Sequence, residues 1–518
     1  QRPPMNRPPT GTAAGPNWMG RVWHEDGGRT PVVKEAVNLE TVIGLEIHVQ
    51  LRTASKMFCA CAVAFGAPPN TLICPVCLGL PGALPVTNQK AVELGLRTAV
   101  ALGCKMAPHS QFHRKNYYYP DLPKNYQISQ YQYMDHPPLG MDGWLECTVD
   151  GTPRAVRIRR VHLEEDTGKL IHVERDGIVT HTLIDYNRSG VPLMEVVTQP
   201  DLRSPAEARE FLVALRALLQ YLDVSSGRME EGTMRVDANV SLRAPDGTLG
   251  TRTEVKNMNS LRAVERALAF EAARQAEVLA AGASVVQETR HWDERRQITF
   301  PSRTKEEAED YRYFPEPDLV PMAVDDALVE RVRASLPELP AQKRTRYVSA
   351  LGLGPYDADL IVRQPRLAAF FEEALATYPN AKTLANWLTG DVAGLLNAEG
   401  KEIDEVALRP PTLVSLLQLI DGGRISGRIA KELLPDLIRD GGDPAALVAA
   451  RGVEQISDTA DLERLIDRVI AANPDTAEEF RRGKDKALIF LVGQVMKVTR
   501  GRANPELVNR ILRERLRG

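Results

Sequence analysis

The chain has 518 residues, a formal net charge of −3 and 43% hydrophobic residues. This length predicts two to four domains with substantial cores. The nearly neutral charge excludes a protein that binds polyanions over its whole surface, so any nucleic-acid contact would be a local patch. No apolar run is long enough to cross a bilayer, and we expect a cytosolic protein with no membrane partner.

The first 36 residues differ in composition from the rest of the chain. Residues 1–36 are rich in proline and glycine and have no hydrophobic period. Such a segment cannot bury enough apolar surface to fold, which predicts a disordered leader. A tag remnant and a processed natural start are both open interpretations.

Residues 41–51, TVIGLEIHVQL, alternate apolar and polar side chains. This period of two predicts a half-buried strand. Glu46 and His48 then share the polar face, about 7 Å apart along the strand, as ligands of a hard cation would. The alternative is a pair of ordinary surface residues.

Four cysteines follow in two short pairs, Cys59 with Cys61 and Cys74 with Cys77. Two pairs on either side of a loop are typical of a tetrahedral zinc site, and four thiolates would make that zinc structural. A redox dithiol at Cys74 and Cys77, or four unliganded cysteines, are the alternatives. The two cysteines that stand alone are predicted core residues: Cys104 and Cys147.

Residues 113–133 contain six tyrosines, two lysines and two prolines. The prolines exclude a continuous helix and predict a shaped loop. Lys115 and Lys124 would be cations in a stiff aromatic surround, able to meet a phosphate or carboxylate. A tyrosine-rich edge strand with solvated lysines is the alternative.

The remaining N-terminal elements predict a strand-rich region with helices between strands. The predicted elements are a helix from Asn88 to Gly103, a strand over 155–166 ending in Glu164 and Glu165, a helix capped by Ser204 and Glu207, a strand over 229–243 with Asp237 on its polar face, and a strand over 253–260 followed by a helix that stops at Gly282. We therefore predict an α+β fold with an N-terminal sheet-based cradle over 37–330.

Beyond residue 330 the apolar residues recur at spacings of three and four, which predicts helices. We predict a helical domain over 331–450, with short helices near Asn386–Leu396, 412–420 and 428–439, and a small helical tail domain over 451–518. The tail is locally basic, and an ordinary amphipathic surface and a nucleic-acid-facing patch are both open interpretations. Its basic residues include Lys484, Lys486, Lys497, Arg500, Arg502, Arg510, Arg513, Arg515 and Arg517.

Nine stretches together resemble the B subunit of the aspartyl/glutamyl-tRNA amidotransferases, from about residue 40 to 518. They are VIGLEIHVQL, the four-cysteine segment, RKNYYYPDLPKNYQISQY, HLEEDTGKL, DYNRSGVPLMEVV, MEEGTMRVDANVSLR, TEVKNMNS, DYRYFPEPDLVP and KALIFLVGQVMKVTRGRANPELVN. The resemblance implies a protein that activates the side chain of mischarged Glu-tRNA(Gln) or Asp-tRNA(Asn) with ATP and Mg²⁺. Ammonia would reach it through a channel from the amidase, which is a separate subunit, and a small third subunit would join the two in a heterotrimer.

The resemblance also implies residue roles. Glu46, His48, Glu165 and Asp237 match family positions for binding Mg²⁺ and ATP, and Glu164 is a neighbour with a catalytic part. The family's active-site or channel lysines match Lys115 and Lys124. The sequence contains no G-x4-G-K-[ST] loop and no kinase signature, so ATP would depend on metal-bound acids and lysines.

Two other functions compete with this interpretation. One is a noncatalytic, zinc-stapled tRNA-binding scaffold in the same complex, which has no need for its acids to converge. The other is a stand-alone phosphotransferase for a small carboxylic acid, which leaves the basic tail without a role. The choice between Glu-tRNA(Gln) and Asp-tRNA(Asn) stays open.

Overall fold

The computed structural model describes residues 39–131, 137–175, 178–302, 311–454, 459–499 and 502–517. The predicted leader, 1–36, lies outside the described residues. The strands are β1 Glu40–Gln50, β2 Lys105–Met106, β3 His109–Ser110, β4 Phe112–Asn116, β5 Tyr126–Gln130, β6 Gly140–Val149, β7 Thr152–Glu165, β8 Lys169–Arg175, β9 Ile178–Asp185, β10 Pro192–Thr198, β11 Met234–Arg243, β12 Thr253–Lys256, β13 Thr289–Asp293, β14 Ile298–Pro301, β15 Phe314–Pro315 and β16 Met322–Ala323.

Twelve strands form one sheet with β1 near its centre. The strand order is β14-β13-β12-β11-β1-β10-β7-β5-β4-β15, and β6 pairs with β7 and β2. Neighbouring strands are antiparallel except β12 and β13. The apolar side chains of β1 are buried, which confirms the predicted strand: Ile43, Leu45, Ile47 and Val49.

Three helices cover the apolar side of this sheet: α1 Gln89–Ala101, α2 Pro205–Tyr221 and α3 Leu261–Ala280. Asn88 caps α1 by accepting from the N–H groups of Lys90 and Ala91, as predicted. The Ser204 hydroxyl caps α2 by accepting from the Glu207 N–H. The Glu207 carboxylate adds a second bond at this helix start, because it accepts from the N–H of Arg203, the residue before the cap. Since the helices take one face of the sheet, the polar face stays free for a site.

The tyrosine-rich segment differs from the predicted shaped loop. It is not a loop throughout: β4 and β5 form a hairpin inside the main sheet, and only 117–125 between them is irregular. Both prolines fall in that connection, where no ladder hydrogen bond is required of them. The flanking residues pair because Phe112 and Ile128 bury their side chains in the core. The last two predicted residues, 132–133, lie outside the described part of the chain.

From residue 326 onward the regular elements of the described residues are all helices, and the α+β fold is confirmed. The helices are α4 Asp326–Ala334, α5 Pro340–Ser349, α6 Pro355–Val362, α7 Pro365–Leu375, α8 Ala381–Asn386, a π-helical turn Trp387–Val392, α9 Ala393–Glu399, a 3₁₀ turn Ile403–Glu405, α10 Pro410–Asp421, α11 Gly427–Asp440, α12 Pro444–Arg451, α13 Thr459–Ala472, α14 Pro474–Arg481, α15 Asp485–Val498 and α16 Pro505–Arg517. Within the described ranges no helix is long and apolar enough to span a membrane.

In the part of the chain that the structure describes, buried side chains form three hydrophobic clusters. The first runs from Ile43 to Val332, the second from Tyr347 to Val448 and the third from Leu462 to Leu516. The division into domains at 37–330, 331–450 and 451–518 stays a prediction, and the separate clusters are the feature that supports it.

Candidate active site

A row of polar side chains crosses the open face of the main sheet. On β1, His48 lies opposite Glu195 of β10 and Arg235 of β11. On β10, Glu195 in turn lies opposite His162 of β7. Because directly opposed residues of antiparallel strands point to the same face, register alone aligns these four side chains.

Glu164 joins this row because it follows His162 by two residues on β7. The Nε2 atom of His48 is 3.8 Å from Glu164 Oε1 and 3.9 Å from Glu195 Oε2. Ligand atoms of His48, Glu164 and Glu195 all lie within 4.8 Å of one another. One imidazole and two carboxylates at this spacing can hold a divalent cation.

His162 lies behind these ligands and holds both carboxylates. Its Nε2 atom is 3.0 Å from Glu195 Oε2 and 3.6 Å from Glu164 Oε2. Burial opposes the charge on the imidazole, but the carboxylates of Glu195 and Glu164 outweigh it and raise the pKa of His162 to about 9. Burial likewise disfavours the Glu195 anion, yet the charge of His162 holds the pKa of Glu195 below its usual range. Both carboxylates are therefore ionised and fixed in place.

A second group of acids lies next to this cluster. Glu46 of β1 is opposite Asp237 of β11, and Lys256 Nζ lies 2.7 Å from Asp237 Oδ2 and 3.1 Å from Glu254 Oε1. Burial, and then the charges of Glu195, Glu254 and Asp237, raise the pKa of Glu46. The lysine thus offsets part of a strong local negative charge.

Both groups of acids line one open cavity of about 730 Å³. Its lining includes four of the residues predicted for the site, Glu46, His48, Asp237 and Glu164. Lys115 lines it as well, with its Nζ atom 4.6 Å from the centre of the Tyr311 ring. The structure therefore brings these five predicted residues together.

Glu165 and Lys124 do not join them. The side chain of Glu165 points to the opposite face of β7, where its Oε1 atom pairs with Lys124 Nζ and accepts from the Ile128 N–H at 2.9 Å. Both side chains are almost fully buried. The prediction that Glu165 binds a metal together with Glu46, His48 and Asp237 is incompatible with this geometry. Glu164 takes that position because a strand alternates its faces with each residue.

Sequence reasoning missed Glu195 and His162 as site residues. Glu195 is the single charged residue in the apolar run VPLMEVV, which was the signal available for it. His162 comes two residues before Glu164 in HLEE, at the spacing that places both on one face of a strand. Neither signal identifies a partner, because the partners come from other strands.

The four clustered cysteines meet as predicted. The Sγ atoms of Cys59, Cys61, Cys74 and Cys77 all lie within 4.8 Å of one another. Tetrahedral zinc with Zn–S bonds of about 2.3 Å needs sulfur atoms about 3.8 Å apart, so these four thiols fit one metal ion such as zinc. The prediction that Cys104 and Cys147 are core residues is confirmed, because both are buried in a hydrophobic cluster. That burial raises the pKa of each thiol to about 12.

Comparison with known proteins decides the family. A family model described as "GatB/GatE catalytic domain" matches residues 41–330, and a second described as "GatB domain" matches residues 369–516. The B subunit of the aspartyl/glutamyl-tRNA(Asn/Gln) amidotransferase from Moorella thermoacetica is 56% identical over 479 residues, 92% of this chain and 99% of that protein. The chain belongs to this B-subunit family.

Other relatives in the family show the same coverage. The protein of the same name from Carboxydothermus hydrogenoformans is 52% identical over 92% of this chain and 98% of its own. That from Thermodesulfovibrio yellowstonii is 49% identical over 91% and 98%. The segment of this chain that matches the catalytic-domain model contains every residue that lines the cavity described above.

Proposed function

We propose that this subunit uses ATP and Mg²⁺ to activate the side-chain carboxylate of a mischarged aminoacyl-tRNA, and then transfers ammonia to it. The convergence of His48, Glu164 and Glu195 in one open cavity carries this proposal. A carboxylate is a poor electrophile until one of its oxygens becomes a leaving group. Attack of that oxygen on the γ-phosphorus of ATP releases ADP and gives an acyl phosphate; ammonia then displaces inorganic phosphate and leaves the amide.

The acids of the cavity fit the cation that such a reaction requires. His48, Glu164 and Glu195 would hold Mg²⁺, with Glu46 and Asp237 beside them, and the bound ion would neutralise charge on the ATP phosphates. Lys115 would meet a phosphate as a point charge. His162 orients the carboxylates from behind, as residues next to metal ligands commonly do.

The four cysteines would hold a structural zinc ion. With every coordination position taken by a thiolate, that ion has no open position for substrate. It would fix the segment that carries Cys74 and Cys77 against Gly190, which precedes β10. Lys124 and Glu165 lie beside this segment in a cavity of about 90 Å³, so we assign them to its packing and not to the cation.

We propose the amidase and the small third subunit of a heterotrimer as partners, with mischarged tRNA as substrate, in the cytoplasm. Exposed lysines in the same part of the chain as the third hydrophobic cluster support a tRNA contact there: Lys484, Lys486 and Lys497. Deleting residues 451–518 is expected to weaken tRNA binding at moderate salt and to spare assembly with the amidase. Unchanged tRNA affinity in a filter-binding assay would remove the tail from the proposal.

The decisive experiment supplies ammonium chloride, ATP, Mg²⁺ and mischarged tRNA to the purified complex. We expect amidation of Glu-tRNA(Gln), Asp-tRNA(Asn) or both without glutamine, because free ammonia bypasses the amidase. His48→Ala should abolish it and leave glutaminase activity in place. If His48→Ala amidates as well as the parent, the cavity is not the active site and the scaffold function replaces this one.

A further inference from the structure

A wall of four tyrosines forms part of the lining of the same cavity. The rings belong to Tyr117, Tyr131, Tyr311 and Tyr313, and all four line the cavity. Tyr131 and Tyr313 stack with ring centres 3.9 Å apart and planes 8° from parallel. Tyr311 lies 5.9 Å from Tyr313 and 6.1 Å from Tyr117, in edge-to-face contacts. Binding a metal ion and phosphates requires none of these rings.

The wall is held rigidly although its residues come from two distant segments. The Asn116 side-chain amide donates to the carbonyl groups of Tyr311 and Arg312, at 3.2 and 2.8 Å. Arg114 forms two parallel bonds of 2.7 Å to Glu316, which fixes the end of the same segment. Arg312 itself has a φ of 44°, a strained value for a residue with a side chain. Such strain persists only where surrounding contacts impose it.

The wall is uncharged, and the face of its stacked pair is accessible at Tyr131. Tyr131 is 40% exposed, so part of its ring is open to solvent beside the stacked pair. Burial raises the pKa of Tyr117 and of Tyr313, and both phenols stay neutral at physiological pH. A neutral aromatic face of this kind attracts another flat π system more than it attracts a phosphate.

Among the cations that line the cavity, Lys115 lies against two rings of the wall. Lys115 Nζ is 4.6 Å from the ring centre of Tyr311 and 5.7 Å from that of Tyr117. A nucleotide presents the matching chemistry, because its flat base and its anionic phosphate are joined through one sugar. An apolar amino-acid side chain would match the rings but would leave the lysine without a counter-ion.

We propose that this tyrosine wall stacks an adenine base, with Lys115 meeting the phosphate attached to it. The inference rests on the proposed function, which brings two adenines to the cavity: that of ATP and that of the 3′-terminal nucleotide of tRNA. Both have the same stacking chemistry, and the experiment below separates them. The wall is a binding surface and takes no part in proton or phosphoryl transfer.

The test measures equilibrium binding to the intact complex, so it can be read even if no amidation occurs. The probes are ATP, ribose 5-triphosphate without a base, tRNA with its 3′-adenosine and tRNA lacking it. Base stacking on an aromatic ring is worth about 5- to 150-fold in Kd. We expect a loss of that size for ribose triphosphate relative to ATP, or for the shortened tRNA relative to the full one. The pair that shows the loss identifies the source of the adenine.

Variants then assign the effect to the wall. Tyr131→Leu and Tyr313→Leu should remove the difference between the intact and the base-free probe, while Tyr131→Phe keeps the ring and keeps the difference. Tyr118→Leu is the matched control, because Tyr118 belongs to the same tyrosine-rich segment but is 83% exposed outside the cavity. Because Tyr131 is 40% exposed, Tyr131→Leu is expected to fold, and it decides alone if Tyr313→Leu does not fold. Equal affinity of the parent for both probes of each pair overturns the proposal, as does an unchanged difference in folded leucine variants.

Discussion

Glu164 and Glu165 are neighbours in the sequence, yet the two faces of β7 give them different surroundings. Both are buried, at 4% and 2% exposure, so burial does not separate them. Their partners do. Glu164 faces two imidazoles, His48 and His162, in the cavity of about 730 Å³, whereas Glu165 faces Lys124 in a smaller cavity of about 90 Å³ beside the cysteines.

This difference separates a carboxylate that can accept a ligand from one that is already occupied. Histidines and a cavity leave oxygen lone pairs available to a cation. A buried ion pair whose carboxylate also accepts a backbone N–H uses its lone pairs within the protein, and it chiefly maintains local structure. Residues on the polar face of the sheet should therefore control activity. Residues on the other side of β7, beside the four cysteines, should control stability, and we call that side the cysteine face.

The cysteine face should show the largest effect. Replacing Cys74 and Cys77 with serine should remove about one zinc ion per chain and lower the melting temperature, since structural zinc contributes about 10 kcal/mol or more of binding free energy in small domains. Metal analysis and thermal unfolding measure both. Cys104→Ala, at a buried cysteine outside the cluster, should keep the zinc. Full zinc content in the serine variant would exclude the site.

Glu165→Gln tests the buried ion pair between Glu165 and Lys124. It leaves the Lys124 ammonium buried without its carboxylate, which costs about 3–5 kcal/mol in the free energy of unfolding. Adding Lys124→Met should recover most of the lost free energy of unfolding, because both charges of the buried pair are then gone. Denaturant unfolding measures each variant. A Glu165→Gln chain that is as stable as the parent, but needs more Mg²⁺ for amidation, would move Glu165 to the active site.

His162 should make stability depend on pH in Mg²⁺-free buffer. Its pKa is raised to about 9 in the folded chain from about 6.5 in the unfolded chain. The stabilisation is therefore fully present below pH 6.5 and is lost as the pH rises through 9, by up to about 3 kcal/mol. His162→Gln should flatten the unfolding profile between these pH values. Parallel profiles for the variant and the parent would contradict the ion-pair arrangement.

Glu164→Gln should act on activity while changing stability least. Loss of residues that support metal ligands costs about 10- to 100-fold, so loss of a ligand should lower ammonium-dependent amidation by at least about 100-fold, or about 2.7 kcal/mol in the barrier. The half-saturating Mg²⁺ concentration should rise, and basal glutaminase activity should persist. Glu165→Gln, one residue away, is the matched control. If Glu164→Gln and Glu165→Gln change the Mg²⁺ dependence equally, the two faces of β7 do not differ in function.

Much of the fold could be predicted because its patterns are local. The period of two in β1, the Asn88 cap of α1 and the paired cysteines each depend on residues close in sequence, and each is where it was expected. The tyrosine-rich segment was harder, because prolines are evident in a sequence whereas the strands that pair with β4 and β5 are remote. Local signals favoured a loop, but its flanks pair with each other as a hairpin, and the remote strands β15 and β7 hold that hairpin in the sheet.

The sequence by itself determined which residues carry charge and sulfur, the alternation that turns Glu46 and His48 to one face, and the membership of the chain in its family. Only the tertiary structure decided that Glu164 and not Glu165 meets His48, and that Glu195 and His162 complete the group. The physical reason is register. Alternation fixes which residues of one strand share a face, but the pairing of β1, β10 and β7 fixes which faces coincide and which atoms meet.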